Sequence, residues 1–288
     1  MFYSTAYGLR LRSDVSLGLA AESVGFMEVD VEIGRGLPSS LVQEQASIVT
    51  QGVMPGIAQF CIQDGSRVFY EPDNGISDLV LGPCLLGSAM SVVLRQRGLL
   101  VLHAGCLDNG EGRAVALLGH SGWGKSTLVS ALGDRGYTLL ADDVLPIDWR
   151  ERQPWALPSY PSAKLLPDAA QALGYAVQSM EVLHERTTKL DHSISQSFAV
   201  NPLPLKQLYI LNWSDTISIE PLSTKEALLA LLAYSRAARS VIEPAFRQQH
   251  FELCAQLAEK IPVYRFNRPK NFEQFNPAIV QLEEHFSA

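Results

Sequence analysis

Residues 119–127 read Gly-His-Ser-Gly-Trp-Gly-Lys-Ser-Thr, a complete G-x-x-x-x-G-K-[ST] phosphate-binding loop. Glycines at these positions let backbone N–H groups converge on phosphate oxygens where side chains would obstruct, and the lysine brings a cation to the outer phosphates. The serine is positioned to ligate magnesium, and the helix that begins here turns its partial positive end toward the same anion. The flanks suit the motif. The apolar run 114–118 predicts the preceding strand, and 126–132 predicts a helix ended by Gly133. Gly119, Ser121, Gly122, Trp123, Gly124, Lys125, Ser126 and Thr127 are therefore the candidate nucleotide residues, with ATP and Mg2+ as the implied cofactors. The side chains of Trp123 and His120, at variable positions of the motif, are assigned no role.

Working outward, Asp142-Asp143 ends the apolar run 137–141, the next strand after the loop's helix. A nucleotide enzyme needs an acid at a strand tip beside the phosphates to hold the metal. Two adjacent carboxylates can divide the work, one serving the metal and one accepting the proton of an attacking hydroxyl. His103, in Leu-Val-Leu-His-Ala-Gly, is read at the end of the strand before the phosphate-loop strand, equally as a core histidine or a catalytic one. Transfer of a phosphoryl group also calls for a further cation. Arg186 and Lys189, in His-Glu-Arg-Thr-Thr-Lys-Leu, lie where a substrate loop could form; Arg265 and Arg268 flank the end of a late strand. Solvated surface positions are the simpler reading of both pairs.

The remaining 288-residue chain bounds these readings. Hydrophobic residues make up 47% and charged residues 18%, enough for a packed core and without a disorder signature. A net charge of -7 with scattered basic residues argues against nucleic acid as a partner. Four distant cysteines lack metal-ligand spacing and fit free thiols of a reduced, cytoplasmic protein. The apolar stretch 79–94, broken by Gly82, Pro83 and Gly87, reads as a buried helix rather than a membrane span.

Strand-like runs at 5–11, 26–33, 57–62 and 67–70 make the first part β-rich, followed by a helix at 85–97. Strands are expected at 99–103 and 144–147, and a proline-rich region at 150–204 reads as loops and short helices. Runs 205–212 and 216–221 look like a strand pair around a turn at 213–215. Helices at 224–235, 244–260 and 277–286 and a strand at 263–266 complete the chain. The expectation is an α/β protein, with a β-rich N-terminal domain over 1–85 and a nucleotide-binding core over 86–288.

Over residues 99–148 the order His103-Ala104-Gly105, Gly119–Thr127 and Ala141-Asp142-Asp143 resembles the HPr kinase/phosphorylase family. The resemblance implies a P-loop core of the HPr kinase/PEP carboxykinase type, with Asp142 as general base, His103 supporting it, Lys125 on the phosphates, and Asp143 with Ser126 at magnesium. More weakly, Tyr7-Gly8-Leu9, Tyr160-Pro161-Ser162-Ala163-Lys164-Leu165 and Pro262-Val263-Tyr264-Arg265 look like a subgroup encoded with lasso-peptide pathways, whose members phosphorylate the C-terminal serine of a precursor peptide. The Ile-Glu-Ile-Arg-Gly signature of true HPr kinases is missing. What the resemblance implies is an ATP-dependent serine kinase acting on a peptide or small protein; a homo-oligomer is compatible with it. The competing classes are a nucleotide-driven switch or assembly ATPase, a HPr-type kinase/phosphorylase, and a non-catalytic binding module.

Overall fold

A computed structural model describes the chain except residues 21–27, 39–45, 186, 195–197, 237–243 and 287–288. Two sheets organise it. The first has six strands in the order β1-β2-β3-β6-β5-β4: β1 Phe2–Ala6, β2 Leu9–Ser13, β3 Val31–Arg35, β4 Val49–Met54, β5 Ala58–Gln63 and β6 Arg67–Pro72. The single strand expected over 5–11 is instead the β1–β2 hairpin. Tyr7 (φ 59°) and Gly8 (φ 71°) both adopt the left-handed conformation that a tight hairpin turn requires. Of the strand expected over 26–33, residues 26–27 lie outside the described residues.

Helix α1, Asp78–Gln96, packs on this sheet through Leu81, Leu85, Met90 and Val93, against Leu11, Val31, Ile62 and Val68. It starts earlier than the residue-85 boundary expected from sequence, so that boundary falls inside it. Gly82 is needed where it stands, since a Cβ there would come within 2.3 Å of the Ser16 carbonyl oxygen. Just past Pro83 the helix widens into a π turn, Leu85–Ala89. Its length and mean hydropathy of 1.4 would suffice to cross a bilayer, yet 72% of that window is buried inside the protein. It is a core helix.

The second sheet has nine strands. The path β10-β8-β9-β15-β12-β11-β7 comprises β7 Leu100–Leu102, β8 Ala104–Asp108, β9 Ala114–Leu118, β10 Leu139–Ala141, β11 Leu145–Arg150, β12 Gln153–Ala156 and β15 Leu203–Trp213. The long β15 runs parallel to β9 on one edge; on the other its far half runs parallel to β17, Val263–Arg268. Strand β16, Ser218–Pro221, pairs with β17 rather than folding back on β15, which corrects the expected strand pair. In the proline-rich region, β13 Ser162–Leu165 and β14 Leu190–Ser193 form an antiparallel ribbon that the loop reading overlooked.

Both faces of the second sheet are covered, which is why its strands read as unbroken apolar runs. Along β9 the alternation is clean. Ala116 and Leu118 face α4 Thr224–Ala233 and α5 Pro244–Lys260 through Leu231, Cys254 and Leu257. Val115 and Leu117 face α2 Lys125–Asp134 and α6 Phe275–Phe286 through Leu128, Leu132, Ile279 and Leu282. Between these elements lies the short α3, Pro167–Ala172. A loop leaving β9 and entering α2 is thereby fixed at its two ends by separate buried contacts.

Candidate active site

Loop 119–124 joins β9 to α2. Gly122 (φ 80°) and Gly124 (φ 79°) are left-handed, and Gly124 is the N-cap of α2. A side chain at Gly124 would meet the Arg268 guanidinium at 2.5 Å, so another residue there would be strained by the left-handed backbone and would push Arg268 aside. Lys125 is buried and donates to the carbonyls of Gly119 (2.9 Å) and His120 (3.0 Å). Burial pushes its ammonium down to about 8, against the opposing pull of Asp142 and Asp143. Trp123 contributes its carbonyl, which accepts from Arg268 Nη2 at 2.6 Å, while its ring packs on His120 and Trp213. Arg268 itself lies 4.3 Å from the centre of the Trp213 ring.

Beyond β10 the two carboxylates occupy different surroundings. Asp142 is 2% exposed; its Oδ1 accepts from the Ser126 hydroxyl at 3.0 Å and its Oδ2 from the Lys164 backbone N–H at 3.0 Å. Burial first, and then the like charge of Asp143, raise its proton affinity. Asp143, at a positive φ of 77°, carries the cations. His103 Nδ1 is 2.9 Å from Oδ1, while Arg236 Nη2 (2.9 Å) and Lys164 Nζ (3.3 Å) share Oδ2. Burial alone would raise Asp143, but Arg236, Lys164 and His103 outweigh it and hold the group well below the usual carboxylate range.

The pairing is thus crossed relative to the reading from sequence. Ser126 meets Asp142, and His103 meets Asp143. The setting of His103 also differs. It lies not at the end of the strand beside β9 but in the link between β7 and β8, its N–H donating to the Tyr234 carbonyl at 2.7 Å. Strand β8 separates β10 from β9, yet α2 leans across so that Ser126 reaches Asp142.

One cleft is lined by Ser121, Gly122, Gly124, Lys125, Ser126 and Thr127 together with His103, Asp142, Asp143, Lys164 and Lys189, and by Trp213, Arg268 and Phe275. Lys189, for which a solvated surface position was the simpler reading, lines this cleft; Arg186 lies outside the described residues. Arg268 joins the cleft despite its reading as a surface residue, whereas Arg265 pairs with Glu226 at 3.5 Å on α4. Lys164 and Arg236 went unassigned in the sequence. Lys164 left one faint signal, a lysine in a run whose neighbours Ala163 and Leu165 are both buried. Arg236 left none: it comes to the site by tertiary contact, 93 residues from its partner.

A divalent cation fits at Ser126 and Asp142. Both present hard oxygen donors, and among the described residues no cationic side chain is bonded to Asp142, unlike Asp143. Among the described residues no group of three His, Cys, Asp or Glu could hold a metal. The rest of the coordination would come from phosphate and water, as magnesium prefers.

No protein-family model and no curated protein matches this sequence. Among solved structures, the Hpr(Ser) kinase/phosphatase from Coxiella burnetii is similar over 65% of this chain and 97% of its own, at 14% sequence identity and a TM-score of 0.35. A likeness of that degree leaves function to be argued from the site itself.

Proposed function

We propose that this protein is an ATP-dependent kinase that transfers the γ-phosphoryl group to a serine hydroxyl of a peptide or small protein. The observation that carries the reading is one cleft in which a glycine-built phosphate loop, a buried lysine and two differently partnered carboxylates meet. Loop amides and Lys125 bind the β- and γ-phosphates. Ser126 and Asp142 would hold magnesium, which when bound neutralises charge on the phosphates. Asp143, kept ionised and oriented by His103, Lys164 and Arg236, faces the acceptor hydroxyl.

In the transfer the hydroxyl oxygen bonds to the γ-phosphorus as the bond to the β–γ bridging oxygen breaks. ADP leaves, and the hydroxyl proton passes to a carboxylate late in the step. A base held so far below neutrality is weak, but in a loose transition state orientation matters more than proton affinity. Lys164, Lys189 and Arg268 add positive charge around the transferred group. The weaker resemblance at Tyr7–Leu9, Tyr160–Leu165 and Pro262–Arg265 suggests the C-terminal serine of a lasso-peptide precursor as the acceptor, and the cations of the cleft would suit its carboxylate.

The test is incubation with γ-labelled ATP, magnesium and peptides ending in serine. Label on the peptide is the expected result. Release of inorganic phosphate alone would instead make the protein a switch ATPase.

A further inference from the structure

A second cavity opens on the far side of Lys164. Its floor is apolar, built from Leu17 in the first sheet's lobe, Leu86 on α1 and Tyr160. At its mouth stand Leu79, 70% exposed, and Val182, 54% exposed. The same Lys164 lines both this cavity and the phosphate cleft, so the two meet at the side chain bonded to Asp143.

One wall has the form of a strand edge. The Leu183 N–H donates to the Lys189 carbonyl at 2.9 Å and the Asp191 N–H to the Glu181 carbonyl at 2.8 Å, so segment 181–183 extends the β13–β14 ribbon. Alternate backbone groups of a strand point to opposite sides. Those of Val182 are thus turned away from β14, and among the described residues they meet no backbone partner. The rim is acidic: Asp78 and Glu181 are exposed, and Asp191 accepts from the Ser162 hydroxyl. A bridge from the Ser77 hydroxyl to Glu185 (2.8 Å) ties the start of α1 to the opposite lip.

An apolar floor, a strand edge open among the described residues and an acidic rim leading to a phosphoryl-transfer centre specify an occupant. We propose that this cavity is the acceptor subsite, taking an extended peptide that adds as a strand along Val182. Apolar side chains of that peptide rest on Leu17 and Leu86, a basic residue faces Asp78 and Glu181, and its serine reaches Asp143 past Lys164. The inference rests on the kinase reading for what happens to the serine, but peptide capture does not depend on turnover.

The test uses fluorescein-labelled synthetic peptides with a fixed serine, the preceding positions scanned through all amino acids, bound to the full chain with magnesium and a non-hydrolysable ATP analogue. A fluorescent ATP analogue is titrated in parallel. Capture should favour apolar and basic residues before the serine. Leu79→Asp and Val182→Asp, at exposed positions that the fold tolerates, should weaken capture by about tenfold each and leave nucleotide affinity unchanged. Glu181→Lys should shift the basic preference toward acidic peptides. Absence of capture by the wild type, or capture indifferent to these variants, overturns the subsite while leaving the nucleotide reading intact. Failure of the ATP analogue to bind overturns the nucleotide reading without touching peptide capture. Were Leu79→Asp to convert a dimer into a monomer without affecting peptides, the groove would belong to a second copy of the chain and the proposal would fall.

Discussion

Replacing each carboxylate of the Asp142-Asp143 pair by asparagine should have opposite effects on stability and the same effect on chemistry. Asp143 compensates Lys164 and Arg236, whose side chains are 11% and 27% exposed. Removing one partner of a buried ion pair leaves an uncompensated charge and costs about 3–5 kcal/mol. Because Asp143 is itself 20% exposed, the lower end applies, about 3 kcal/mol. In a chain of this size that lowers Tm by roughly 5 °C. Asp142 is the reverse case. Its charge is buried beside a like charge, and asparagine keeps an acceptor for Ser126 or the Lys164 N–H. Asp142→Asn should therefore leave the nucleotide-free protein unchanged or make it more stable, since burial and the charge of Asp143 both disfavour the ionised carboxylate. Thermal melts without nucleotide measure both. With magnesium and ATP near a hundred times Kd the wild type should gain about 2.7 kcal/mol, and Asp142→Asn should gain much less. Both variants should lose phosphoryl transfer. If Asp142→Asn destabilises the nucleotide-free protein as much as Asp143→Asn, the assignment of charge compensation to Asp143 alone is wrong.

Lys125, pushed down to about 8, binds fewer protons folded than unfolded between about 8 and its ordinary value, so stability without nucleotide should rise with pH through that window. Triphosphate favours the ammonium, so ATP affinity should fall as pH rises above about 8, with proton uptake visible as buffer-dependent binding heat; Lys125→Met should show no such slope. Gly124→Ala should cost roughly 1–2 kcal/mol from its left-handed backbone and weaken ATP binding further by displacing Arg268, measured by melts and titration. Ser223→Ala removes the capping box of α4 and should cost about 1 kcal/mol while leaving ATP affinity unaltered, a control for distant destabilisation.

The loop between β9 and α2 was legible because its turns fall on the backbone, at the left-handed Gly122 and Gly124. Asp142 and Asp143 were legible as a pair for a related reason: a strand tip beside the phosphates has few uses for two acids. Which acid does what was not legible, since that depends on Lys164 and Arg236, which lie 21 and 93 residues away from Asp143. Local pattern carries no information about such partners. Strand β8 was missed because the expected strand was ended at His103, whereas a second short strand starts at Ala104, directly past that residue. Tyr7-Gly8 was taken into a strand because alternation persists across a two-residue turn, and only the positive φ at both residues interrupts it. The faces of β9 were equally hidden, as a strand covered on both sides shows no polar alternation.

The π turn in α1 has a consequence for how this molecule can be cut. Gly87 lies within it, and a Cβ there would come 3.3 Å from the Arg236 guanidinium that grips Asp143. One residue earlier, the Leu86 carbonyl accepts from the Tyr7 hydroxyl at 2.9 Å. The first hairpin is thus two contacts removed from Asp143, the carboxylate proposed to meet the acceptor. Excising the N-terminal lobe to obtain a minimal catalytic fragment would strip the scaffold from behind Arg236, and the fragment would retain its grip on nucleotide while losing its aim.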